Sequence, residues 1–176
     1  MLWSSTLSIG DEVLQSLYEQ PQFESKRHLE YFGILTSMPD LVRGELMLAT
    51  KDFKRALEYG LNSHGLAEDL SDDIILTDLL RMKGQALIAL DRIDEAREAL
   101  VKAQEIAEVC GSRFILWRVL YESSRVTAIE GRQEDEEQLL LQCRGLVDYI
   151  ADHCGRPEVR EGFLNHPVVR KALASD

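Results

Sequence analysis

Two stretches of this 176-residue chain are written on one template. Gly44 and Ala56 stand 12 residues apart, as do Gly84 and Ala96, and the second pair is displaced from the first by 40. A fixed spacing of this size marks a supersecondary unit that repeats and stacks. Such stacks expose extended surfaces, so the spacing points toward binding rather than toward a catalytic pocket.

The pattern around these pairs is helical, and alternating β-branched runs and Asn-Gly hairpins are missing. Short helices are predicted over about Ile9 to Glu19 and Phe23 to Thr36. Leu41 to Ala49 and Phe53 to about Leu66 form the next pair around the turn Thr50-Lys51-Asp52. Ile74 to Leu90 and Ile93 to Val109 follow, after a capping signal at Ser71-Asp72-Asp73 and around the turn Asp91-Arg92. Gly111 supplies a C-cap. Phe114 to Glu130 and Glu134 to His153 flank Gly131-Arg132, and Pro157 and Pro167 each open a short closing helix. Turns of two or three residues force antiparallel neighbours. The expected organisation is one all-α domain over 1–176. It comprises N-terminal helices in 1–36, hairpins over 37–70, 71–111 and 112–154, and a C-terminal cap over 155–176.

The clearest unit reads Leu80, Gly84, Leu87, Ile93, Ala96, Leu100, Ala103. Small residues belong where the two helices of a hairpin approach too closely for a side chain. Gly44, Met47, Phe53 and Ala56 repeat the register. A third copy is looser, with Ser124 in the glycine position, Glu136 in the alanine position, and Leu140 and Cys143 for Leu100 and Ala103. Over about Leu41 to His153 the chain resembles the tetratricopeptide repeat (TPR) family. Its period is 40 rather than 34, and the repeat-closing proline is missing. The longer units and the tail from Glu158 to Val168 resemble divergent TPRs near the C-termini of bacterial signalling proteins. Those include STAND-type ATPases, LuxR-type regulators and cyclase-linked proteins. The resemblance implies an α-α superhelix, right-handed, of about three hairpins. It also implies a module cut from a longer signalling protein.

In that family the first helix of each hairpin lines a concave groove. Carried onto this register, the groove positions include Leu41, Val42 and Glu45, then Asp78, Arg81, Met82, Gln85 and Ile88, then Arg118, Tyr121, Glu122 and Arg125. The last four recur at i, i+3, i+4 and i+7 and share a helix face. Arg81, Arg118 and Arg125 would hold a carboxylate by forked hydrogen bonds, and Tyr121 would add an aromatic contact. Arg81 and Gln85 would face them across one repeat. The competing expectation is a solvated face on which Glu122 pairs locally with Arg118 or Arg125.

Composition narrows the partners. Lys and Arg number 20 against 31 Asp and Glu, a formal charge of −11, which disfavours nucleic acid and anionic membranes. No apolar run approaches the roughly 20 residues that span a bilayer. Cys110, Cys143 and Cys154 are odd in number and form no CxxC pair, which fits a reducing cytoplasm. Asp72-Asp73 and Glu134 to Glu137 sit at helix starts, where carboxylates favour the dipole. No cofactor, metal or catalytic motif emerges. Trp117, following Phe114, Ile115 and Leu116, is assigned to the core. The expected function is a non-catalytic interaction module that takes a peptide or protein segment. The alternatives are a self-associating array forming a homo-oligomer and, more remotely, a small-ligand sensor or enzyme.

Overall fold

The computed structural model describes residues 41–60 and 73–174. The helices expected over 1–36, the turn after them, Trp3, the helix end near Leu66 and the cap at Ser71-Asp72 lie outside the described residues. Among the described residues the chain is all-α, with eight helices and no strand. They are α1 (41–49), α2 (53–60), α3 (Asp73–Ala89), α4 (Ile93–Val109), α5 (Arg113–Ile129), α6 (Gln133–Asp152), α7 (Pro157–Leu164) and α8 (Pro167–Leu173). Expected boundaries hold to within a residue or so from α3 onward.

One turn device makes every hairpin corner. Lys51, Asp91, Gly111 and Gly131 adopt left-handed φ of 62°, 59°, 68° and 71°. The residue after each donates its N–H five residues back: Asp52 to Met47 at 2.8 Å, and Arg92 to Leu87, Ser112 to Ala107 and Arg132 to Thr127 at 3.0 Å. This is the Schellman closure, which satisfies carbonyls that the helix end would orphan. The left-handed residue recurs at 51, 91 and 131, so the period of 40 persists in the third unit even where the Gly and Ala signature fades. α3, α4 and α5 have the same length, 17 residues each.

Packing follows the small residues. α3 lies on α4 and α5 on α6, while α5 also packs against both α3 and α4. A Cβ built on Gly84 would lie 2.6 Å from Leu100 Cγ on α4, so this glycine sets the approach of the two helices. Gly44 does something different from the expectation. A Cβ there would collide with Sδ of Met82 on α3, so Gly44 admits the next hairpin rather than its own partner helix. Leu79, Leu87, Leu100 and Val119 are fully enclosed in the main core, each contributing about 1.5–3 kcal/mol by leaving water.

A second cluster closes the C-terminal end. Trp117 and Leu120 of α5 meet Cys143 and Val147 of α6 and Val169 and Ala172 of α8. Phe163 of α7 sets its ring edge-on to Trp117 at 6.2 Å. Ser124 is buried in the glycine position, and its hydroxyl donates to the Tyr121 carbonyl at 2.7 Å. Leu140 and Cys143 are buried where Leu100 and Ala103 are, and burial pushes the Cys143 thiol up to about 12. No described helix is long and apolar enough to cross a membrane.

Candidate functional site

The first helices of the three hairpins, α1, α3 and α5, meet through a ladder of charge. Asp78 on α3 and Arg118 on α5 occupy the same repeat position, 40 residues apart. They touch: Arg118 Nη1 donates to Asp78 Oδ1 at 3.2 Å and to Oδ2 at 3.3 Å. Arg118 Nη2 reaches Glu45 of α1 at 3.1 Å, spanning from the third hairpin to the first. Between them lies Arg81, whose side chain is only 3% exposed. Its Nε donates to Asp78 at 2.5 Å, its Nη1 to Gln85 at 3.2 Å and its Nη2 to Glu45.

The ladder is electrically closed. Two arginines face two carboxylates, and each carboxylate touches both arginines. Burial opposes the charge on Asp78, but Arg81 and Arg118 outweigh it and hold the carboxyl below its ordinary range. Burial likewise opposes the charge on Arg81, and Asp78 and Glu45 more than restore it. A guanidinium so enclosed is tolerable only because its donors are matched.

The structure therefore gathers Arg81, Gln85 and Arg118 as the register implied, and pairs both arginines from within the chain, Gln85 itself accepting from Arg81. Arg125 donates to Glu122 at 2.5 Å, and Glu122 is itself buried. Tyr121 is half-buried against the second core cluster. Met82 and Ile88, placed in the groove by sequence, are core residues. A forked clamp for a foreign carboxylate would have to displace an internal one. The competing expectation, local pairing of Glu122, describes the Arg125 contact.

Where the ladder ends, α5 meets the cap helices around a pocket of about 260 Å³. Phe114, Trp117 and Arg118 of α5 line it together with Phe163, His166 and Val168. Phe114 is 58% exposed, an unusual position for a large aromatic ring. Sequence reasoning missed this pocket. Its signals were Phe163 and Val168 in the closing segment, which carried only family resemblance, and Phe114 at the start of α5. A cleft of about 430 Å³ lies between α4, α5 and α6, and its basic groups are tied down. There Arg97 donates to Glu130 at 2.7 Å, and Arg132 donates to Asp135, also at 2.7 Å.

Among the described residues no group of His, Cys, Asp and Glu is arranged to hold a metal ion. Comparison with family models, curated proteins and solved structures finds no match for the chain.

Proposed function

We propose that this chain is a TPR-like interaction module that binds a peptide or protein segment along the face shared by α1, α3 and α5. The observation that carries the reading is the contact between Asp78 and Arg118. Residues one period apart face one another, as they do when hairpins stack in register. The corners at 51, 91 and 131 support the same arrangement. Stacking of this kind presents three helices side by side as one continuous surface. The ladder fixes their relative register and leaves recognition to the side chains beside it, Gln85 and Tyr121 among them.

Panning a random dodecapeptide library on the purified chain tests this, with hydrogen exchange locating the bound peptide. Slowed exchange in α3 and α5 is expected. Binders that protect only α4 and α6, or failure to enrich any binder, would overturn the reading. Arg118→Ala is a poor probe here, because it releases Asp78 and Glu45 and confounds binding with folding. Gln85→Glu keeps an oxygen acceptor for Arg81 and alters capture by changing one charge on the face while leaving the ladder closed.

Self-association is favoured by a separate observation. Val42 and Leu46 lie one turn apart on α1, exposed by 64% and 52%. Light scattering of a dimer at micromolar concentration that Val42→Ser with Leu46→Ser converts to monomer would support it. A monomer throughout would remove it.

A further inference from the structure

We propose that the cleft between α4, α5 and α6 docks a basic amphipathic helix of a partner protein, with its leucines inward and its lysines or arginines along the rim. The cleft lies on the second helices of the hairpins. It goes beyond the face shared by α1, α3 and α5 and does not depend on that face binding anything.

The cleft can receive apolar side chains. α4 and α6 both pack on α5, and a cavity of about 430 Å³ opens where the three meet, within the roughly 300–1,000 Å³ of ligand clefts. Buried Leu100 and Val126 lie at its base, and Val101 and Leu139 line it nearer the surface. Val101 is 50% exposed. Leu141 holds the same position one period later on α6 and is 71% exposed, so apolar surface continues on the α6 side.

The walls decide the shape of the guest. They are helices whose backbone groups are already bonded, so they offer no sheet edge to an extended segment. A guest helix closes its own backbone bonds and lays residues at i, i+4 and i+7 into such a groove. The side-chain amides of Gln104, Gln138 and Gln142 in the lining can meet its polar flank.

Charge decides the sign of the guest. α4 and α6 together carry eleven acidic side chains against three basic ones, while α5 carries one against three. Most of the chain's −11 therefore stands on the two outer walls. The two arginines in the lining do not reverse this. Arg97 pairs with Asp94 and Glu130, and Arg132 pairs with Glu130 and Asp135, so three carboxylates hold two guanidinium groups. The rim acids are other residues. Glu98 and Glu105 stand one turn to either side of Val101 on α4, Glu134 stands one turn before Gln138 on α6, and all three are exposed. Carboxylates on both walls of an apolar cleft complement a helix with a leucine stripe flanked by cations.

The test is fluorescence polarisation with a fluorescein-labelled peptide of about 16 residues, long enough to form a helix. It carries leucines at i, i+4 and i+7 among lysines and alanines. Companion peptides replace the leucines by serine or the lysines by glutamate. The parent chain should bind the first peptide roughly tenfold or more tighter than either companion. Glu98→Gln with Glu105→Gln and Glu134→Gln should weaken that binding roughly tenfold, with the helical circular dichroism unchanged. Val101→Ser with Leu141→Ser should erase the preference for leucine over serine. Hydrogen exchange should slow in α4 and α6 when the peptide is bound. Equal binding of the leucine and serine peptides would reduce the effect to charge attraction and overturn the docking site. Full binding by the triple glutamine variant, or protection confined to α3 and α5, would overturn it too. Panned peptides that protect α3 and α5 while the basic helix fails to bind would sink the cleft and leave the other face standing. A basic helix that protects α4 and α6, with nothing captured on α3 and α5, would do the reverse.

Discussion

Replacing Asp78 by Asn removes one charge from the ladder with almost no change of shape. Asp78 is the shared acceptor of Arg81 and Arg118, and Arg81 is almost wholly enclosed. Breaking a buried pair by deleting one partner typically destabilises by about 3–5 kcal/mol. Here Glu45 and Gln85 still hold Arg81, and the asparagine oxygen can still accept, so the lower end applies, about 3 kcal/mol. For a chain of this length that is a fall of roughly 6–12 °C in Tm. Urea denaturation followed by circular dichroism at pH 7 measures it. The pH dependence supplies an independent check. Asp78 is held below its ordinary value of 3.8, so its contribution is fully present above about pH 4 and is lost as pH falls through the lowered folded value. Asparagine does not titrate. The gap between parent and Asp78→Asn should therefore be widest near neutrality and close as the solution is acidified below pH 4. A gap under about 0.5 kcal/mol at pH 7, the range of ordinary surface substitutions, would refute the ladder as a structural element. So would a gap that is flat with pH.

The remaining predictions use the same readouts. Gly84→Ala pushes a methyl into Leu100 and should destabilise by about 1–3 kcal/mol. Gly44→Ala should cost less, because Sδ and Cε of Met82 are the flexible end of a side chain. Asp91→Gly and Lys51→Gly should stabilise by up to about 1 kcal/mol each by relieving left-handed backbone, and Gly131→Ala should do the reverse. Iodoacetamide at pH 8 should label Cys110, which is exposed, and spare Cys143 until urea unfolds the chain.

Most of the architecture was legible because its determinants are local. The left-handed corners need Gly, Asp or a short loop, and the sequence shows Gly111, Gly131 and Asp91-Arg92 in place. Proline opens α7 and α8, and the apolar period marks α3 to α6. The destination of Gly44 was not legible, since spacing says that a close approach exists but not which helix approaches. The site was legible only as positions. Arg81, Gln85 and Arg118 were placed on one face by period, but their acceptors include Glu45, which lies 36 residues from Arg81 and 73 from Arg118. Nothing in a linear pattern distinguishes a cation waiting for a ligand from one already satisfied by a distant carboxylate. The cap pocket was hidden for the same reason, as Phe114 and Phe163 are brought together by two intervening turns.

The contact between Asp78 and Arg118 also bears on how such a chain can change. When stacking sets position against the same position one unit later, faithful copies would confront like with like, acid against acid. The hairpins must differ for the stack to cohere at that point. Asp78 answers Arg118, and Glu45, Gln85 and Arg125 form a second row running from negative through neutral to positive. Neighbouring hairpins therefore cannot be copies of one another at this position. Inserting a duplicate of the second or third hairpin between them would set like charges against each other although every residue stayed native.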